Sequence, residues 1–385
     1  MGLLSRFQRN NATDLASASN INATAIGSHT CKEPLVMNMS QRPTFGQWFK
    51  VTWLDLVTMA IMGAIGLGVS EAHPAPSRSF PIYFQDGEIV YPQFAYPMRN
   101  EIVPIWAATV LALAVPIAVL LICQIRVRSF WDLNNAIIGL GYSLIAASVF
   151  QVFIKWLIGG LRPHFLAVCK PSVPVQTAQE TGNGLRQIMY DRRVCTGNQK
   201  QIDDSLESFP SGHSTAAFAG FVFLSLYLNA KLKLWSNYHP AFWKLIAIWA
   251  PILGATLIAG ALTIDEYHNW YDCLAGAIIG TVMAFSAYRM VYTSIWDWRT
   301  NHIPLNRAVP FNGARPELEH AVFTRQAGWG DVGGHAGGEK QAADHGLQGG
   351  PVANEDCGQG QTSGVIRKPL GGTGNHARAE SGNMV

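Results

Sequence analysis

Lys155 and Arg162 stand seven residues apart in the stretch Lys155-Trp-Leu-Ile-Gly-Gly-Leu-Arg162-Pro163. Seven residues are about two helical turns, so a helix would carry both cations on one face, roughly 10 Å apart. Pro163 disfavours helix at Arg162, so the chain leaves its helix there. Two cations on one face suit a multiply charged anion; cations snorkelling at an interface would give the same pattern. A second stretch, Ser208-Phe209-Pro210-Ser211-Gly212-His213, reads as a turn opening a helix. Backbone N–H groups of such a turn point at one place, where the helix dipole also favours an anion. Ser211 adds a hydroxyl donor, and His213 is a group that can give or take a proton. The third stretch runs from Asp265 to Asp272 and holds His268 and Asp272 four residues apart, stacked on one helix face. A carboxylate behind an imidazole fixes its tautomer and raises its basicity. Each stretch alone also reads as an ordinary helix cap with an incidental polar neighbour.

The elements that must position these residues are apolar. The chain has 385 residues, of which 14% are charged and 49% hydrophobic, with 12 Trp, 11 Tyr and 18 Phe. Soluble domains carry roughly 25% charged residues. The net charge of +3, with no basic stripe, excludes an electrostatic nucleic-acid binder. Mean hydropathy is only +0.13, because polar ends dilute an apolar middle. Crossing a bilayer takes about 20 apolar residues as helix. Six segments meet this, at roughly Val51–Ser70, Pro104–Ile122, Ala136–Ile158, Ser214–Leu228, Phe242–Thr263 and Cys273–Ile295. The fourth is the least apolar. With spans three to six alternating in direction, Arg162, His213 and His268 fall on one membrane face. Two cations, a helix N-terminus, one free His and one Asp-backed His describe a phosphoryl-transfer site. No Asp/Glu cluster has metal-ligand spacing, so neither a metal nor a cofactor is expected.

The ends read as disordered: residues 1–50 are rich in Ser, Asn and Thr, and residues 297–385 form a Gly-rich tail. The six-span part is then 51–296. Arg126 and Arg128 follow span two, Lys231 and Lys233 follow span four, and Arg42, Lys50, Arg299 and Arg307 flank the outer spans. This pattern favours cytoplasmic termini. The sequons at Asn11, Asn22 and Asn38 would matter only with a lumenal N-terminus. Cys169 and Cys195 share the loop after span three, where a disulfide and two free thiols are both compatible with the spacing.

Taken in order, the three stretches resemble the signature of the type 2 phosphatidic acid phosphatase superfamily, the lipid phosphate phosphatases: Lys-x6-Arg-Pro, Pro-Ser-Gly-His, and Ser-Arg-x5-His-x3-Asp. Lys155 to Pro163 and Pro210 to His213 match the first two; His268 and Asp272 match the end of the third. The overall look is closest to fungal diacylglycerol pyrophosphate/phosphatidate phosphatases. The resemblance implies an all-α, six-helix integral membrane bundle of the phosphatidic acid phosphatase/haloperoxidase kind. It implies His268 as nucleophile, Asp272 as its orienting carboxylate and His213 as the acid for the leaving group. Lys155, Arg162, Ser211 and the Gly212 N–H would hold the phosphate. It further implies a lipid phosphate substrate, no metal, and a lumenal or extracellular site in an endomembrane (vacuole, ER or Golgi) or the plasma membrane. The oligomeric state is left open.

One position departs from the signature: its Ser-Arg pair falls on Ala261 and Leu262. Losing a charge-assisted phosphate donor removes on the order of 10²–10³ in rate. Arg192 or Arg193 in the long loop are candidate substitutes. Two functions follow, a metal-independent lipid phosphate phosphatase or a catalytically impaired relative that binds phospholipid or a partner. A transporter fits poorly, because transport sites lie near mid-membrane in broken helices.

Overall fold

The structure, a computed structural model, describes residues 42–72, 79–84, 87–173, 182–307 and 311. Residues 1–41 of the expected disordered N-terminal segment, with its sequons, lie outside them, whereas residues 45–50 are helical; nearly all of the tail after Arg307 also lies outside. The chain forms two units, Met1–Val332 and Gly333–Val385, the second wholly outside the described residues.

Eight α-helices are described: α1 (Phe45–Ser70), α2 (Ile105–Val127), α3 (Phe130–Ile158), α4 (Phe165–Cys169), α5 (Gln199–Ser205), α6 (Gly212–Leu232), α7 (Phe242–Ile264) and α8 (Trp270–Val291). Six of them (α1, α2, α3, α6, α7 and α8) are long and apolar enough to span a bilayer. The chain is thus a multi-pass membrane protein. The first span begins earlier than the expected Val51, because Thr44 and Gln47 form a capping box. Pro116 and Pro251 sit inside α2 and α7, as membrane helices tolerate.

The least apolar span, α6, is the most buried, and this explains its composition. It packs against α8, α7, α2 and α3, so its side chains meet protein rather than lipid. Its partners approach closely through glycine. A Cβ on Gly280 would lie 2.5 Å from the Thr215 carbonyl, and one on Gly276 2.5 Å from the Ser211 carbonyl. Small residues spaced by four let the backbones of α6 and α8 touch, the usual device where lipid offers no hydrophobic drive between helices. The outer faces carry exposed apolar side chains such as Ile125, Leu257 and Met290.

Outside the bundle, β1 (Phe80–Pro81) pairs antiparallel with β2 (Met189–Tyr190). Cys169 and Cys195 are joined as a disulfide within this apolar loop cluster.

Two lysines read as flanking charges are internal. Lys231 and Lys233 are fully buried. Lys231 Nζ lies 2.6 Å from Asp132 Oδ1, and Tyr227 and Tyr292 donate to the same carboxylate at 2.8 and 3.0 Å. Lys233 binds Asn301 Oδ1 at 2.6 Å and the Trp298 carbonyl. The chain past residue 296 therefore turns back on the bundle, with His302 and Ile303 buried.

Candidate active site

The site forms where α3 ends and α6 and α8 begin. Lys155 and Arg162 were expected on one helical face, but α3 stops at Ile158. Gly159 at φ +56° and Gly160 at φ +126° break it. A Cβ on Gly159 would meet the Leu206 carbonyl at 2.7 Å. The two segments are instead laced together. Gly160 N donates to Leu206 O, Ser208 N to Gly160 O, Phe209 N to Gly159 O and Arg162 N to Ser205 O, all at 2.8–3.2 Å. This lacing sets the first two stretches side by side, and Gln151 Nε2 adds a bond to Pro210 O at 2.9 Å.

Ser211 is the N-cap of α6. Its hydroxyl accepts from Ser214 N at 3.4 Å, and its backbone N–H donates to the Asp272 carbonyl at 3.0 Å, tying α6 to α8. Gly212 opens the helix; a Cβ there would meet nothing closer than 3.6 Å, so packing alone does not demand glycine.

His268 sits in the turn between α7 and α8, its N–H bonded to the Leu262 carbonyl at 3.1 Å. Its Nδ1 faces Asp272 Oδ2 at 3.6 Å. This exceeds a normal hydrogen bond. Burial, aided by the Arg162 and Lys155 charges, holds the His268 imidazole at a pKa of about 4 despite Asp272. Asp272 itself is fully buried and held by Ser208 Oγ at 2.5 Å, Asn269 N at 2.9 Å and Asn269 Nδ2 at 3.1 Å. Asn269 and Asp272 are the capping box of α8, so one carboxylate both caps the helix and backs the imidazole. The His213 ring lies 6.2 Å from that of His268, centroid to centroid.

Arg162 is 4% exposed. It binds Asp204 through Nε to the carbonyl at 2.9 Å and Nη2 to the carboxylate at 2.8 Å, and lies over the Tyr267 ring. Lys155 Nζ faces Glu207 Oε2 at 3.7 Å. Arg162 Nη1, His213 Nε2, His268 Nδ1 and Asp272 Oδ1 are all buried without a hydrogen-bond partner. Buried groups of both polarities gathered in one place make a polar pocket able to bind a charged ligand. A cavity of about 630 Å³ reaches Lys155, Glu207, Ser208 and Asp272, and its other walls are mostly aromatic and aliphatic, with Phe80, Tyr91, Trp156 and Tyr271 among them.

The seven candidate site residues, Lys155, Arg162, Ser211, Gly212, His213, His268 and Asp272, are thus at this one end of the bundle, and the cavity's walls include Lys155 and Asp272 of them. Ser208, Asn269, Asp204 and Glu207 were not singled out for a role; of these only the Asn269–Asp272 capping spacing was a readable signal. Leu262 is fully buried against Tyr267 and Cys273. The candidate substitutes are engaged elsewhere: Arg192 pairs with Asp203, and Arg193, 90% exposed, with Asp191. His164 is a buried loop residue bonded to the Glu266 carbonyl at 3.1 Å.

The chain is similar in sequence to several known proteins. The sequence model of the PAP2 superfamily matches residues 136–296. A PA-phosphatase related-family protein of Dictyostelium discoideum is 35% identical over 55% of this chain and 63% of its own. Lipid phosphate phosphatase 1 of Arabidopsis thaliana is 33% identical over 62% of this chain and 67% of its own. Diacylglycerol pyrophosphate phosphatase 1 of Saccharomyces cerevisiae is 34% identical over 43% and 54%. The chain thus spans slightly under two thirds of the first of these relatives, and about half of the yeast protein. No solved structure matches it.

Proposed function

The chain belongs to the PAP2 superfamily, and from that premise we propose that it is a lipid phosphate phosphatase acting through a phosphohistidine. The observation that carries this reading is the buried His268–Asp272 pair facing His213 beside Arg162. Its relatives are named for lipid phosphate and diacylglycerol pyrophosphate. The aromatic-walled cavity beside Lys155 suits the apolar part of such a molecule.

Asp272 faces Nδ1, so Nε2 of His268 is the attacking nitrogen. It bonds to phosphorus as the P–O bond to the lipid breaks, and His213 gives its proton to the leaving alkoxide. A water then attacks phosphorus, His213 takes its proton, the P–N bond breaks and phosphate leaves. Lys155, Arg162, Ser211 and the Gly212 N–H hold the phosphate oxygens and stabilise the charge that grows on them. The chemistry so written requires no metal.

The placement we propose is an endomembrane or plasma membrane with cytoplasmic termini and the site on the lumenal or extracellular face. The Cys169–Cys195 disulfide on the same loop as Arg162 supports it, since disulfides persist in oxidising compartments. We further propose 51–296 as the phosphatase domain, extended in practice by the chain around Asn301 that packs under it.

Buried Leu262 favours a second reading, a relative with impaired turnover that binds phospholipid or a partner. The test is phosphate release from phosphatidate and diacylglycerol pyrophosphate in detergent micelles with excess EDTA. Wild type releases phosphate and His268→Ala is slower by at least about 10³-fold. No release from folded wild type would sink the phosphatase reading and favour the second.

A further inference from the structure

Both cations assigned to the phosphate face a carboxylate from the segment that leads into the α6 turn. Asp204 takes Arg162 and Glu207 takes Lys155. The two differ in kind. The Asp204 side chain is 53% exposed and leaves Arg162 Nη1 unpartnered, so Arg162 can hold Asp204 and an anion together. Glu207 is 18% exposed, and the Lys155 ammonium it faces is 22% exposed. Glu207 also lines the cavity, together with Lys155, Ser208 and Asp272. An anion approaching Lys155 along that cavity meets the Glu207 carboxylate. Leu262, where the signature has a cation, is packed against Tyr267 and Cys273 and brings no charge to offset it.

We infer that Glu207 is an internal counter-anion of the phosphate site: it holds Lys155 when the site is empty and discriminates against a doubly ionised phosphate. This rests on the phosphatase reading only for the identity of the lipid; the anion site itself is what is tested. Glu207 is a positioning and specificity residue, acting through Lys155. A carboxylate near the incoming charge weakens binding wherever both are ionised. Phosphate esters lose their second proton at a pKa of about 6. Burial raises the Glu207 carboxyl, while Lys155 and Arg162 lower it and Asp204 raises it further. Below its pKa Glu207 is neutral and the competition vanishes; above, it is complete. The site therefore prefers a singly charged phosphate headgroup.

The experiment uses the full chain in detergent and inorganic phosphate as probe, titrated by calorimetry from pH 5 to pH 8. Wild type should bind phosphate more weakly as pH rises. Glu207→Gln should bind it roughly fivefold more tightly at pH 7.5, with the advantage shrinking toward pH 5. KM for phosphatidate should fall in parallel, and the gain should be lost in a Lys155→Gln background. An unchanged or weaker phosphate affinity in Glu207→Gln, a gain independent of pH, or no phosphate binding at all would overturn the inference. If Glu207→Gln does not fold, wild type decides alone: affinity that tightens as pH rises overturns it. A chain that binds phosphate as described yet releases none from lipid phosphates would defeat the phosphatase reading and leave this inference standing.

Discussion

As the proposed nucleophile, His268 would attack only when neutral, and its surroundings decide when that is. An exposed imidazole loses its proton near pH 6.5, whereas burial brings His268 to about 4. The nucleophile is then protonated only below that value. We expect the acid limb of the kcat profile to lie near pH 4 rather than 6.5, while a fall toward higher pH belongs to His213, which acts as the acid only when protonated; stopped assays across pH 3–8 check this, and an acid limb at 6.5 would contradict the buried nucleophile. Asp272 completes the pair without being free to wander, because Ser208 and Asn269 supply three donors to one of its oxygens. Leu262 is the counter-example. It occupies the place of a family arginine but is fully buried beside Tyr267, and its carbonyl anchors the His268 turn. Leu262→Arg should therefore lower thermal stability in detergent by about 3 kcal/mol and reduce turnover, because a charge would enter an apolar contact. Higher turnover in that variant would show that the pocket had space for the missing clamp.

The elements hold these side chains by backbone contact more than by side-chain packing. Gly276 and Gly280 let α8 lie on α6, and the Ser211–Asp272 backbone bond fixes the two helix starts relative to each other. Gly280→Ala should separate them, with about 1–3 kcal/mol lost in thermal stability and a disproportionate fall in kcat. Circular dichroism melts beside the phosphate assay measure both; an unchanged kcat would mean that the site tolerates helix displacement. The break at Gly159 and Gly160 has the complementary task. It turns the chain out of α3 so that Arg162 arrives from a loop laced to the entry of α6. A regular helix through Arg162 would have kept it two turns beyond Lys155.

Across the whole molecule, the two ends of the bundle are specialised differently. The site end has buried polar atoms without partners, while the opposite end satisfies Asp132 with Lys231, Tyr227 and Tyr292. Lys231→Met should cost about 3–5 kcal/mol in thermal stability by leaving Asp132 buried and unpaired. Lys231→Met with Asp132→Leu should recover most of it, which melting curves would report. The number and order of the spans and the helix start at Ser211 were legible in the sequence, each from local hydropathy or from spacing within a turn or two. The helix expected to carry both His268 and Asp272, by contrast, starts only after Asn269 and leaves His268 in the preceding turn. What only the tertiary structure decided depends on residues distant in the chain. Lys231 meets Asp132 across 99 positions, so a lysine that reads as a flanking charge becomes an internal one. Ser208 reaches Asp272 across 64, which makes a loop serine a support of the catalytic carboxylate. The lacing of Gly160 to Leu206 in the same way sets Glu207 against Lys155, because backbone groups removed from water must find partners wherever the fold supplies them.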